Sequence, residues 1–244
     1  MSFPLIEVKD QRLLKVDIGG TDTLSNNLLI KLEDALDQAE DLDRKTAILI
    51  HLVGVKDLTT LRSWPGPSDT QTVSKWERAL RRVERSSRTT VVLVEHACSA
   101  IALELLLVAD RRIASSGFLM RSTTHGESLW PGMALYRLTR QIGEARARKA
   151  FLDAADISAT LALQLDIVDE IVDNFESGLA HIEGLLTNAP LEDFAIRRRL
   201  MQDSASTTFD DALGLHLAAC DRRLRHSSSE SLELKAAQTS LSTL

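Results

Sequence analysis

The sequence predicts an α/β protein: a parallel sheet packed by helices, with further helices at the C-terminal end. Three observations carry this. Short apolar runs, Ala47 to Val53 and Thr90 to Val94 above all, alternate with segments whose apolar residues recur at helical spacing. Strand-rich material comes first and helices last. The 244 residues hold 44% hydrophobic and 26% charged residues but only 4% aromatics, so the core has to be built from Leu, Ile, Val and Ala. The length suits one α/β domain with a helical appendage.

Residues 5–9 and 12–18 alternate as a strand pair turning at Asp10-Gln11, and Gly19-Gly20 ends it. Leu24, Leu28, Leu32, Ala35, Leu36 and Ala39 define an amphipathic helix over 24–42. Ala47 to Val53 is a short buried strand, and 54–73 is a loop broken by Trp64-Pro65-Gly66-Pro67. Ser74-x-x-Glu77 is a capping box opening a helix that carries Trp76, Leu80 and Val83 on one face. A strand at 89–94 leads into an apolar helix near 98–108, then strands near 111–114 and 118–121. Helices fit 133–141, 144–153 and 158–165, a last strand fits 167–172, and helices fit 176–187, 191–203 and 207–224. The expected organisation is a core over 1–174, a helical region over 175–225 and a polar, mobile tail over 226–244.

Composition excludes several classes. A net charge of −6 argues against nucleic acid as a partner. No apolar run reaches membrane-spanning length, and the start, MSFPLIEVKD, lacks the basic and apolar regions of a signal peptide. Two cysteines in unrelated contexts, Cys98 and Cys220, fit a reducing cytoplasm better than a disulfide. No metal-ligand cluster, Ser/His/Asp arrangement or phosphate-cradling glycine loop stands out. Arg78, Arg81, Arg82 and Arg85 fall opposite Trp76 and Leu80 and read as a solvated helix face, with phosphate binding as the alternative.

The candidate chemistry centres on TTVVLVEHACSAIALELLLVADRRIA, residues 89–114. One carboxylate, Glu104, sits inside an otherwise apolar helix. Burying such a group is expensive, and proteins commonly keep one because it is used. The alternative is a structural pair with an arginine such as Arg112.

The register of this stretch resembles the crotonase superfamily of enoyl-CoA hydratases and isomerases. Cys98 to Glu104 stand where that family has A-x-G-G-G-x-E, and Ala109 to Ala114 stand at the last six positions of its A-C-D-x-R-I-A. Pro131, Gly132, Arg137, Leu138, Arg140, Gly143 and Ala147 resemble its P-G…R-L-x-R…G…A region; Ala162, Leu165 to Asp169 and Val172 resemble its A-x-x-x-G-L-V-D-x-V-V ending. The resemblance covers most of residues 5–220. It implies a ββα spiral with a C-terminal helical region, assembled as a homotrimer or hexamer, acting on acyl-CoA thioesters without a further cofactor.

In such a site two backbone N–H groups take the charge of a thioester enolate and a carboxylate moves the proton. The resemblance assigns Glu104 as that carboxylate and the N–H of Ile101 as one donor, with Ala100 beside it. The glycines of the motif are replaced by Ala100, Ile101 and Ala102. The second donor falls in a shortened loop, Gly54-Val55-Lys56-Asp57, at the amide of Val55 or Lys56. The position of the family's second glutamate holds Thr124, leaving Glu127 and His125 as candidates for a second acid or base. Trp130 is a candidate wall of the acyl pocket, or a core residue. A site with one glutamate suits proton transfer, isomerisation or elimination better than hydration of an unactivated alkene.

The stretch W-P-G-M-A-L-Y-R-L at 130–138 further resembles the DpgB-like branch, found with the type III polyketide synthase that makes 3,5-dihydroxyphenylacetyl-CoA. That implies dehydration and aromatisation of a cyclised polyketide thioester, with the synthase as a partner. Two other readings stand beside it: a non-catalytic accessory that holds the synthase or its intermediate, and an ordinary enoyl-CoA hydratase or isomerase.

Overall fold

The computed structural model describes residues 2–8, 11–43, 45–121, 130–152, 156–188 and 194–241, with 226–241 as helical backbone only. Six strands form the main sheet: β1 (Leu5–Val8), β2 (Gln11–Gly19), β3 (Thr46–Val53), β4 (Thr90–Glu95), β6 (Arg111–Ser115) and β9 (Glu170–Val172). They lie side by side in that order; β1 is antiparallel to β2 and the rest run parallel. A second, small sheet is made of β5 (Ala97–Cys98), β7 (Leu119–Met120) and β8 (Ile157–Ser158).

Alternation divides the main sheet's residues between two cores. Leu14, Val16, Ile18, Ile48, Ile50, Leu52, Val92 and Val94 pack under α1 (Asn26–Asp41) and α2 (Thr70–Glu84). Leu13, Ala47, Leu49, Val91, Leu93 and Ile113 pack under α7 (Phe175–Asn188), through Ile182 and Leu186. On the α7 face the imidazole of His51 bridges two neighbouring strands, with Nδ1 2.9 Å from Asp17 Oδ1 and Nε2 2.7 Å from Glu95 Oε2. Arg88 is buried and donates to the carbonyls of Ala39, Glu40, Leu42 and Asp43, which closes the C-terminal end of α1. Arg82 pairs with Asp37 and Glu40 of α1, while Arg78, Arg81 and Arg85 are exposed.

Several boundaries differ from those expected. Helix α2 begins one turn before the Ser74 box, because Asp69 caps it by accepting from Thr72 N at 2.7 Å. The apolar helix α3 is confined to Ile101–Leu106, and α9 runs unbroken over Phe209–Leu241, through the segment read as a tail. The chain divides into compact units at Met1–Glu192 and Asp193–Leu244; α7 belongs with the first because it packs on β4, β6 and β9. The second unit holds α8 (Phe194–Ser204) and α9. Among the described residues no helix is long and apolar enough to cross a membrane.

Candidate active site

The site lies where the loops after β2, β3 and β4 meet, at the carboxyl ends of parallel strands. These loops are drawn together by backbone bonds. Gly20 N donates to Val53 O, Gly54 N to Glu95 O at 2.8 Å, and Ser99 N to Gly20 O at 2.7 Å. Gly54 is required sterically: a Cβ there would stand 2.4 Å from Ala97 O and 2.5 Å from Glu95 O, both backbone atoms that cannot yield. Gly20 packs on Cys98 Sγ in the same way. Cys98 is fully buried, and burial pushes its thiol up to about 12, so it serves as packing and not as a nucleophile.

Of the two loop amides considered as oxyanion donors, Val55 N–H donates to Ala97 O at 2.9 Å and Ala97 N–H returns the bond at 3.0 Å. That bridge commits the Val55 amide to the scaffold and leaves the Lys56 amide as the loop's candidate donor. Ile101 is the first residue of α3, where an N–H has no partner within the helix. Ala100, its N-cap, is buried beside it and offers no side-chain hydrogen bond.

Glu104 is 1% exposed and lies deep in α3 among the side chains of other elements. All three tryptophans of the chain come to it. Trp64 from the 61–69 loop and Trp76 from α2 pack with ring centroids 5.3 Å apart and planes tilted by 59°, and both indole N–H groups approach the carboxylate closely enough to favour its anion. Neither approach amounts to a formed hydrogen bond: Trp64 Nε1, Trp76 Nε1, Glu104 Oε1 and Glu104 Oε2 are all buried without a partner. Trp130 reaches the same point from the segment before α4 (Met133–Ile142). A Cβ on Gly132 would stand 2.4 Å from Trp130 Nε1 and 2.6 Å from Glu104 Oε1.

Arg137 places that segment. Buried on α4, it donates to Glu84 Oε1 and to Glu77 Oε2, each at 2.9 Å, and so fastens α4 to α2. Gln141 Nε2 donates to Leu107 O and fastens the other end of α4 near α3. Burial is the main cause that lifts the Glu104 carboxyl from 4.5 to about 7; the charge of Glu77 adds to it, while Arg137, Trp76 and Trp64 pull the other way. The expected alternative partner, Arg112, instead pairs with Asp169.

Two clefts adjoin these residues. One, of about 410 Å³, is lined by Pro65, Gly66, Asp69, Val73 and Trp130. The other, of about 700 Å³, is lined by Thr21, Ser25, Lys31, Val55 and Arg62 among others. Lys31 and Arg62 escaped the sequence reading, since nothing in their local pattern separates them from ordinary surface cations. Arg137 lay inside a quoted motif without a role; the clue was two glutamates, Glu77 and Glu84, seven residues apart on the same helix face. Glu127 and His125 lie outside the described residues. Among the described residues no group of His, Cys, Asp and Glu has the arrangement of a metal site.

No family model matches the chain. It is 40% identical over 212 residues to an enoyl-CoA hydratase of Amycolatopsis orientalis, covering 87% of this chain and 96% of the relative. A 110-residue stretch is 24% identical to the mitochondrial Delta(3,5)-Delta(2,4)-dienoyl-CoA isomerase of Dictyostelium discoideum, covering 44% of this chain and 37% of that one. Among solved structures, an enoyl-CoA hydratase/isomerase from Marinobacter aquaeolei superposes with a TM-score of 0.72 at 16% identity, covering 92% of this chain and 91% of the other. An enoyl-CoA hydratase from Thermoplasma volcanium gives 0.71 at 18%, covering 92% and 93%. The chain belongs to the enoyl-CoA hydratase/isomerase (crotonase) superfamily and has its fold.

Proposed function

We propose that this protein is an enzyme acting on an acyl-CoA thioester, with Glu104 as the single carboxylate that moves the proton. The observation that carries the reading is a buried glutamate at the family's acid position, poised near neutrality by its surroundings. A general base or acid works best with a pKa close to the working pH.

In eliminating water from a 3-hydroxyacyl thioester, the Glu104 carboxylate takes the α-proton. The C–H electron pair moves into an enolate whose oxygen is held by the N–H groups of Ile101 and Lys56. The enolate then collapses to the α,β double bond, the β C–O bond breaks, and the oxygen departs as water with the proton Glu104 had taken. One carboxylate is enough for this sequence, which runs backwards as hydration. His125 and Glu127 are the candidates for a second acid. Trp130 lines the cleft assigned here to the acyl chain, and Lys31 and Arg62 line the one assigned to the coenzyme A phosphates. No cofactor is needed beyond the substrate's own coenzyme A.

The finer reading is dehydration and aromatisation of a cyclised polyketide thioester, downstream of a type III synthase, in a cytoplasmic homotrimer or hexamer. The 130–138 stretch supports it, as does a site walled by tryptophan, and aromatic product formation would drive water loss. A second reading, an ordinary enoyl-CoA hydratase, is favoured by the name of the Amycolatopsis orientalis relative.

Loss of the enoyl-thioester absorbance of crotonyl-CoA, with Glu104→Gln as control, tests both. Turnover abolished by the substitution establishes an ordinary hydratase. Without turnover, product profiles with a type III synthase and malonyl-CoA decide between a dehydrating enzyme, which Glu104→Gln inactivates, and an accessory protein, which it leaves intact.

A further inference from the structure

Four buried polar atoms meet without partners at Glu104: two N–H donors, on Trp64 and Trp76, and two carboxylate oxygens. Trp64 is 6% exposed, Trp76 2% and Glu104 1%, so solvent at the surface does not satisfy them. Buried polar groups are rarely left in this state, and a cluster of them points to a guest. Its chemistry follows from the set. Indole N–H only donates and a carboxylate only accepts. A guest that answers both must accept two hydrogen bonds and donate to the carboxylate through the same atom. A hydroxyl or water oxygen does this; a carbonyl cannot donate, and an ammonium cannot accept.

We propose, resting on the acyl-CoA reading above, that the indole N–H groups of Trp64 and Trp76 hold the oxygen that leaves from, or adds to, the β-carbon of the thioester. Glu104 then carries the proton to or from an oxygen already fixed by two donors. The family site's second acid is thereby replaced, in holding that oxygen, by two neutral N–H groups. Donors on both lone pairs stabilise the oxygen while its bond to the β-carbon breaks, and by microscopic reversibility while that bond forms. The substrate class is a β-hydroxyacyl thioester.

Three tryptophans give three indole resonances in a ¹⁵N-labelled sample of the full chain, each assigned by Trp→Phe substitution. The probes are 3-hydroxybutyryl-CoA and butyryl-CoA. The hydroxylated thioester is expected to move the Trp64 and Trp76 resonances further downfield than butyryl-CoA does, with Trp130 moving alike for both. In the free protein both indole protons are expected to show a contact to a slowly exchanging water. Equal movement with the two thioesters and no water contact overturns the proposal. A water contact with no response to either thioester supports the oxygen site as a water site and overturns the acyl-CoA reading instead.

Benzothienylalanine, which keeps the shape of tryptophan and lacks the N–H, supplies the activity test. Placed at 64 or 76, it should slow water loss from 3-hydroxybutyryl-CoA about a hundredfold, as for a lost transition-state donor. Exchange of the α-protons of butyryl-CoA in D₂O, which needs Glu104 but no β-oxygen, should fall far less, since there the lost N–H acts only by letting the Glu104 carboxyl rise further. Parallel loss of both activities assigns the tryptophans to packing and refutes the proposal. Glu104→Gln should abolish both.

Discussion

Glu104→Gln should make the stability of this protein less sensitive to pH, and the structure gives the size of the effect. The carboxyl is raised from 4.5 to about 7 in the folded chain, mainly by burial. Between those values the folded protein keeps a proton that the unfolded chain has released, so stability falls as pH rises through the window. Above pH 7 the full cost is present, about 3 kcal/mol, most of which is lost between pH 5 and pH 8. Glutamine does not titrate. Whatever a buried amide costs at this position is the same at every pH and drops out of the comparison. Other groups titrate in both proteins and cancel. Urea denaturation of the two proteins at pH 5, 6, 7 and 8 measures the difference directly. The stability of the glutamine variant relative to the parent should climb by about 2–3 kcal/mol across that range. Parallel curves would show that Glu104 ionises as an ordinary surface glutamate, and the account of the site as a desolvated acid would fall.

Arg137→Met removes the partner of two carboxylates, Glu77 and Glu84, in a mostly buried setting; it should cost about 3–5 kcal/mol by denaturation and shift the acid limb of the pH–rate profile to higher pH, since a cation that lowers the Glu104 carboxyl is gone. Gly132→Ala places a methyl 2.4 Å from Trp130 Nε1 and 2.6 Å from Glu104 Oε1; circular dichroism should stay native while α-proton exchange falls about tenfold or more, because a displaced base loses its alignment. Lys31→Ala and Arg62→Ala should raise KM for a coenzyme A thioester and leave KM for the matching N-acetylcysteamine thioester unchanged, and equal effects on the two would remove these residues from phosphate binding.

Much of the sheet was legible because its signals are local. Alternation in β2 and the apolar runs of β3 and β4 each report which residues face a core, and the two cores of the structure separate along those alternations. Glu104 was legible for the same reason: a lone carboxylate in an apolar helix is anomalous wherever the chain goes. The start of α2 was misplaced because Ser74-x-x-Glu77 satisfies a capping pattern that Asp69 also satisfies one turn earlier, and sequence alone does not rank the two. What surrounds Glu104 was not legible. Trp64, Trp76 and Trp130 belong to a loop, a helix and a second loop whose meeting depends on how α2 and α4 dock, and that docking rests on Arg137 reaching across to two glutamates. The Val55 amide illustrates the converse limit: chain order offered it as a donor, and its bond to Ala97 O is a tertiary fact.

The same docking bears on why one acid suits the proposed chemistry. The cluster of Glu77, Arg137 and Glu84 carries one positive and two negative charges, so its excess charge is negative and bears on Glu104; accordingly Glu77 raises the Glu104 carboxyl more than Arg137 lowers it. A further carboxylate beside Glu104 would add to that repulsion and to the burial cost, driving the proton onto Glu104 well above neutrality and disabling it as a base. Neutral donors do not have this effect. Two indole N–H groups favour the anion, oppose the rise, and leave the carboxyl near 7, where it can both take and return a proton. On the proposal above, the tryptophans at 64 and 76 do the work of a second charge with two dipoles, beside an ion cluster that already supplies a negative field.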